Sequence, residues 1–355
     1  MNILMIGQNS KMASVLNEFA NTIMVIDTNI AFYRNYKEVD NLNVIKSTTN
    51  IRKKSGIIKR TKEIIKWIHQ YNTDVIFTND KYSMIAAWIA SKLSLKKIIL
   101  ISTSHNSYAW QNKSNVKKFA KLIKLTTDGY IALASFVYND LLNNHINQKR
   151  ILLLPNIIEH ENFIQKSDYN LENGILKIIY CGVIFPQKNQ KLIIETIKQL
   201  KNKDITVTVD FYGDIADEIY KNQLDCYIAQ HNLTDFVKFK GRVDNDTLRD
   251  LLPKYDVYIS PSLMEMSPFN ILEAKAAALP IIANNVGGIS DLISNKEDGL
   301  LLSSPSIDEM EKTLITLYNN KNLRQNLGER AYQNVSTKQN KQKAALKLKE
   351  FIENI

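Results

Sequence analysis

The sequence predicts an α/β protein of two domains, each a doubly wound parallel sheet with helices on both faces. Three observations carry this. Short apolar runs alternate with helical periodicity along the chain, the pattern of parallel strands joined by crossover helices. The strand series breaks at a polar, aperiodic segment and then starts afresh. A chain of 355 residues with 45% apolar content also suffices for two cores of ordinary size, so a single compact domain is disfavoured.

In the first half, strands are expected near Ile3–Ile6, Ile23–Ile26, Asp74–Thr78, Lys97–Ile101, Gly129–Leu133 and Ile151–Leu154. Residues 159–174 are polar, lack a period and read as a linker. A second series follows near Lys177–Cys181, Thr206–Phe211, Val237–Phe239, Val257–Ile259, Pro280–Ile282 and Leu300–Leu302. From Ser306, an N-cap with Asp308 and Glu309 in the first turn, the chain reads as helical to its end. The expected domains are 1–160 and 161–335, with 336–355 as a terminal helix.

Charge is divided unevenly. Residues 1–155 carry 22 Lys plus Arg against nine Asp plus Glu, a balance of +13, so with a net charge of +10 the rest sums to −3. Much of it lies in 51–68 and 113–124, which read as basic amphipathic helices. In the first, Ile57, Ile58, Ile64, Ile65 and Ile68 are expected inside, with Lys59, Arg60, Lys62 and Lys66 in water. Such a face is either simply solvated or, with Trp67 at its edge, able to lie on anionic lipid. Without a helix-turn-helix, zinc module or aromatic RNA-binding signature, nucleic acid ranks last.

Cys181 and Cys226 lie outside any CxxC or Cys/His cluster, and buried, reduced thiols are expected. The N-terminus lacks a basic region and cleavage site, and no run reaches the eighteen or so apolar residues of a membrane span. A cytoplasmic protein is the expectation.

Ligands of doubly wound sheets bind at the carboxyl ends of the strands. There, Glu265 to Glu273 sets two carboxylates eight residues apart around a helix start. Pro268 suits the first helical position, and Ser267 can cap the turn. The amides and dipole of a helix N-terminus favour a phosphate, so helix end, Glu265 and Glu273 suit a diphosphate, sugar hydroxyls and ribose hydroxyls. Two solvated glutamates on an ordinary amphipathic helix have the same spacing, so spacing alone does not assign the site. Lys188, ahead of a helix, can reach a diphosphate or merely face water. The turns at Gly7 and Gly213 follow strands, but the loop at Gly7 has one glycine and is no GxGxxG fingerprint, which disfavours a nicotinamide enzyme. His105 sits at a strand end, where a binding or proton-transferring histidine is useful and a satisfied structural one is commoner. In Asp244-Asn-Asp246 a helix cap explains the residues better than a divalent ion.

In order, these residues resemble family 4 of the retaining glycosyltransferases, of GT-B fold. The match is specific over roughly 150–305: Asn156, Gly182, Lys188, Gly213, Gly241, Ser262, Glu265 to Glu273, Pro280 and Gly288. The first domain matches loosely, through Gly7, His105 and Ser135. The resemblance implies two Rossmann-like domains facing across a cleft, with the terminal helix returning to the first. It implies that Glu273 binds the ribose, Lys188 the diphosphate and Glu265 the donor sugar, with Met266, Ser267, Pro268, Phe269, Asn270 and Ile271 contributing around the helix start. Gly182 and Gly213 belong to the same donor site, Arg242 and Val243 lie near the base, His105 touches the sugar near its reacting carbon, and Gly7 approaches the diphosphate and acceptor. Glu265, His105 and Lys188 form the implied catalytic set, with no bound metal and no cofactor beyond the nucleotide sugar. Three departures stand out: Val183 where the family has an arginine that pairs with the lysine, with Lys11 a candidate replacement; Asp291 for glutamate; and Ala278 for glycine.

The resulting expectation is a bacterial cell-envelope enzyme moving a hexosyl or N-acetylhexosaminyl unit, with retention, from a UDP-sugar to a lipid-linked or polysaccharide acceptor. The basic first domain suggests peripheral binding at the inner membrane face. The alternatives are a silent partner subunit and a non-hydrolysing UDP-sugar epimerase.

Overall fold

The computed structural model describes residues 1–6, 10–27, 42–46, 56–104, 110 and 112–355. It divides into unit 1, Met1–Asn156 with Lys341–Ile355, and unit 2, Ile157–Asn340.

Unit 1 runs β1 (Asn2–Ile6), α1 (Ser10–Asn17), β2 (Thr22–Asp27), β3 (Leu42–Lys46), α2 (Ile57–Gln70), β4 (Val75–Thr78), α3 (Lys81–Leu93), β5 (Ile99–Thr103), α4 (Lys113–Thr126), β6 (Gly129–Ala132), α5 (Ser135–Asn143) and β7 (Ile151–Leu153). The seven strands are parallel, in the order β3-β2-β1-β4-β5-β6-β7. All six expected strands of this half are present. The seventh, β3, is an edge strand whose Leu-Asn-Val-Ile-Lys mixes polar residues into a short run, so it lacks the continuous apolar signal of a strand buried on both faces.

Right-handed crossovers place α2 to α5 on one face of this sheet. Leu4, Ile6, Ile76 and Leu100 pack there against Ile64, Ile68, Ala86 and Ala90. In α2 the expected phase is wrong at three positions: Ile58 is exposed, whereas Arg60 and Trp67 are buried. Counting isoleucines sets the stripe by composition, whereas the sheet selects the 60–64–67–68 face. Trp67 therefore packs in the core and does not edge a lipid-facing surface.

Unit 2 runs β8 (Leu176–Cys181), α6 (Gln190–Lys201), β9 (Val207–Tyr212), α7 (Glu218–Gln230), β10 (Val237–Gly241), α8 (Asn245–Leu251), β11 (Val257–Ser260), α9 (Phe269–Ala276), β12 (Ile281–Asn284), α10 (Ile289–Leu292), β13 (Leu300–Leu302), α11 (Ile307–Asn319) and α12 (Lys321–Lys338). Its sheet is β10-β9-β8-β11-β12-β13, again parallel, and contains all six expected strands. Strand alternation splits its core. Ile178, Tyr180, Val209 and Phe211 face α6, α7 and α11, whereas Ile179, Cys181, Tyr258 and Ala283 face α9 and α10. Ser306 caps α11, accepting from the Glu309 amide.

The segment expected to be a linker is instead fastened to unit 2. Tyr169 is buried and its hydroxyl donates to the Ala278 carbonyl at 2.8 Å, the Lys166 amide donates to the Ala277 carbonyl at 2.9 Å, and Arg324 donates to the Tyr169 carbonyl at 2.6 Å. One buried tyrosine, one arginine and main-chain acceptors do this without any periodicity to read. The last helix, α13 (Lys341–Glu353), belongs to unit 1. Lys341 pairs with Glu18, in the turn after α1, at 2.9 Å, and at Gly129 an added Cβ would lie 2.6 Å from the Ile355 side chain, so only glycine lets this helix end approach β6. Both cysteines are free; Cys181 is buried, but Cys226 is exposed, which corrects the expectation of two buried thiols.

Candidate active site

In the sheet of unit 2 the strand order reverses between β8 and β11, and a crevice at such a switch point lies beyond the carboxyl ends of those two strands. A pocket of about 340 Å³ opens there. Gly182 follows β8, Gly213 follows β9, and Glu265 lies on the loop from β11 to α9; all three line it.

The strand ends are held together by contacts that only glycine permits. Gly182 and Gly213 have φ of +152° and +148°, and a Cβ on Gly213 would come within 2.0 Å of the Gly182 carbonyl oxygen. The Gly182 amide donates to the Tyr212 carbonyl at 2.8 Å, and the Gly213 amide to the Gly241 carbonyl at 2.9 Å. Three successive strand ends are thus stitched side by side.

Glu265 is set from both sides. The Leu263 amide donates to the Gln187 carbonyl at 2.8 Å, and the Gln187 side chain donates to the Met264 carbonyl at 3.1 Å. This lock brings Lys188, at the end of the short 3₁₀ turn Pro186–Lys188, against the Glu265 carboxylate, with Nζ to Oε1 2.5 Å. Behind it, the Gly288 amide donates to the Glu265 carbonyl at 3.0 Å. Gly287, at φ +56°, comes so near that a Cβ there would sit 2.0 Å from the same oxygen. Lys188 and Glu265 therefore form a charge pair on the pocket wall.

Helix α9 begins one residue later than expected. Pro268 is the N-cap, with φ −70° and ψ 125°, and Phe269 opens the helix, so the expected cap at Ser267 is not observed. Proline's fixed φ suits the extended cap as well as the first turn. Asn270 anchors this turn to β8, its side-chain amide donating to the Cys181 carbonyl at 2.7 Å and its Oδ1 accepting from the Ile271 amide at 3.0 Å. Glu273, one turn further, lines the pocket as well.

Of the expected donor residues, Gly182, Lys188, Gly213, Arg242, Val243, Glu265, Pro268, Phe269, Asn270 and Glu273 all line this one pocket. Met266, Ser267 and Ile271 do not; all three are buried, and Ile271 packs in the core beside Ile289. A helix turns about 100° per residue, so neighbours in a motif cannot all face one ligand. Gly7 and His105 lie outside the described residues, as does the side chain of Lys11. Val183 is 40% exposed and brings no charge. Arg242 is the second cation on the wall; it is exposed and 3.3 Å from Asp214.

Cys181, Tyr212 and Leu248 also line the pocket and were missed; position at the strand ends was the only available signal for the first two. Burial pushes the Cys181 thiol well above its ordinary value, and Glu273 adds to the shift. Asp244 caps α8, accepting from the Thr247 amide at 2.8 Å. Among the described residues no cluster of His, Cys, Asp or Glu is arranged to hold a metal ion.

The geometry offers an anion-favouring helix start, a lysine and two carboxylates within one pocket. Residues 161–334 match the family Glycosyl transferases group 1, and residues 32–162 match Glycosyltransferase Family 4. The chain belongs to the family 4 glycosyltransferases. An uncharacterized glycosyltransferase of Methanocaldococcus jannaschii is 26% identical to this glycosyltransferase over 312 residues, covering 86% of this chain and 83% of the relative. The UDP-Gal:alpha-D-GlcNAc-diphosphoundecaprenol alpha-1,3-galactosyltransferase of Escherichia coli is 23% identical over 287 residues, 75% of this chain and 72% of that enzyme. Among solved structures, Anabaena HepE in complex with UDP and glucose superposes with a TM-score of 0.82 at 16% identity, with both chains covered to 100%. At that identity the likeness establishes the GT-B fold.

Proposed function

We propose that this glycosyltransferase moves a hexosyl or N-acetylhexosaminyl unit from a UDP-sugar, with retention and without a bound metal, to a lipid-linked or cell-surface polysaccharide acceptor on the cytoplasmic side of the membrane. The observation that carries the donor part is the convergence of Lys188, Glu265 and Glu273 on one pocket at the switch point. The donor's diphosphate replaces Glu265 as the partner of Lys188, which leaves the Glu265 carboxylate to accept from sugar hydroxyls while Glu273 accepts from the ribose. An acceptor hydroxyl attacks the anomeric carbon on the face from which the diphosphate departs. The new O–C bond forms as the C–O bond to phosphate breaks, and the hydroxyl proton passes to the leaving phosphate oxygen. Lys188 and the amides at the start of α9 stabilise the charge that develops there. His105 and the loop at Gly7 are assigned to the sugar and to the diphosphate and acceptor by resemblance. The acceptor reading draws on the Escherichia coli relative, whose name specifies a diphosphoundecaprenol acceptor.

The test screens UDP-, GDP- and ADP-sugars for thermal stabilisation and sugar release, with and without EDTA. Stabilisation by UDP-sugars, turnover indifferent to EDTA, and at least about tenfold weaker UDP binding in Glu273→Ala are expected, on the scale of a lost charge-assisted hydrogen bond. Turnover dependent on added manganese would refute the site. Val183 favours a second reading, a silent subunit that binds UDP but never releases it from a UDP-sugar.

A further inference from the structure

Residues 81–127 contain nine lysines and no aspartate or glutamate. They form α3, β5, α4 and the described parts of their connections. α3 and α4 are successive crossovers on one face of the unit 1 sheet, so their C-terminal ends lie together at the edge where strands begin. In α4 the buried stripe is Val116, Ala120, Ile123 and Thr126, and Lys117, Lys118, Lys121 and Lys124 are all exposed. With Asn143, Asn144 and His145 from the end of α5 and the loop after it, these lysines line a concavity of about 550 Å³. Asp74 offsets Lys96 at 3.3 Å. Among the described residues, Lys117, Lys118, Lys121 and Lys124 of α4 and Lys92 and Lys97 have no ion pair with a carboxylate within 4.0 Å.

The same edge exposes leucines. Leu93, the last residue of α3, is 62% exposed; Leu95, at φ +58° in the following turn, is 98% exposed; and Leu125, in the last turn of α4, is 63% exposed. Single apolar surface residues need no explanation, but three set among unpaired lysines match the composition of an interfacial membrane surface. A polyanion such as nucleic acid would need the lysines and not the leucines.

We infer that the C-terminal ends of α3 and α4 dock this protein on an anionic phospholipid surface, lysines against the headgroup phosphates and Leu93, Leu95 and Leu125 in the acyl boundary. The docking edge is opposite the carboxyl ends of the strands, so those strand ends stay uncovered. The inference deepens the membrane part of the proposed function and rests on it for its purpose, but not for its test.

The test is flotation of the full chain with phosphatidylcholine vesicles and with vesicles of an equal mixture of phosphatidylcholine and phosphatidylglycerol, donor and acceptor omitted. Partition at least about tenfold stronger to the anionic vesicles is expected, since each lysine near such a surface contributes about a fivefold preference. Charge reversal in Lys117→Glu, Lys121→Glu and Lys124→Glu combined should remove that preference, and Leu93→Ser, Leu95→Ser and Leu125→Ser combined should weaken partition about tenfold or more. Lys59→Glu, Lys62→Glu and Lys66→Glu on α2 should leave it within about threefold. Equal partition to both vesicle types, an unaffected lysine or leucine variant, or loss in the α2 variant would each overturn the assignment. Thermal melting and UDP-induced stabilisation of every variant separate loss of fold from loss of docking. A protein that floats but binds no nucleotide sugar would refute the transferase reading and leave this one standing.

Discussion

Replacing Lys275 by methionine should cost more stability than any other substitution of a charged residue in unit 2, although the residue sits in Ala-Lys-Ala-Ala-Ala and looks like an ordinary helix lysine. Its side chain is 1% exposed. Nζ donates to Asp298 Oδ2 at 3.1 Å and Asn334 Oδ1 at 3.0 Å, and also to the Leu292 carbonyl, tying α9 to the end of α10, to the loop before β13 and to α12. Burial lowers the pKa of this lysine, with Asp298 opposing the shift. Methionine keeps most of the volume but leaves Asp298, itself buried, with only the Ser294 amide at 2.8 Å among its contacts here. Removing one partner of a buried ion pair typically costs about 3–5 kcal/mol. Removing both charges, in Lys275→Met with Asp298→Asn, should recover more than half of that, because no bare ion then remains inside. All three tryptophans, Trp67, Trp88 and Trp110, lie in unit 1, so their fluorescence does not report this change directly. The measurement is native-state hydrogen exchange of peptides spanning 269–284, with urea melts by circular dichroism alongside. A loss below about 1 kcal/mol in the single variant, or a double variant no more stable than the single, would refute the buried-pair argument.

Ala278 ends α9 at φ +55°, with the Leu279 amide closing onto the Ala274 carbonyl at 3.0 Å; this left-handed position costs an L-residue about 1–2 kcal/mol. Ala278→Gly, which restores the family's usual residue, should therefore raise the melting temperature by about 2–4 °C, read by calorimetry. Gly287→Ala should do the reverse and also reduce UDP-sugar affinity at least about tenfold in titration calorimetry, a shift of roughly 1.4 kcal/mol, because its Cβ would strike the Glu265 carbonyl oxygen at 2.0 Å. A thiol reagent near neutral pH should modify Cys226 alone, and Cys181 only after denaturation, since burial raises the Cys181 pKa. Because the folded pKa values of Cys181 and Tyr258 lie above their unfolded values, their contribution to stability is fully present below those unfolded values. It declines as pH rises through about 9–11, which melts across that range will detect.

Most of this fold was legible in the chain because strands of parallel sheets are buried on both faces and read as unbroken apolar runs. Twelve of the thirteen strands and the restart of the series at β8 follow from such local patterns, whereas the ten pocket residues from Gly182 to Glu273 were brought together beforehand only by the resemblance to the family. What lay beyond the sequence depends on which groups meet across distance. The helical phase of α2 put Arg60 inside and Ile58 outside because the sheet, and not the isoleucine count, chose the buried face. The run 159–174 carries no period yet is fastened by Tyr169 and Arg324. Lys275 and Lys188 are both lysines on or beside short helices, yet one is sealed in the core and the other lines the donor pocket beside Glu265. Their partners, Asp298 and Glu265, are 23 and 77 residues away. Local pattern determines where the backbone goes, because periodicity and turn chemistry act over a few residues. The charge on a buried atom is decided by its surroundings, and those exist only once the chain has folded.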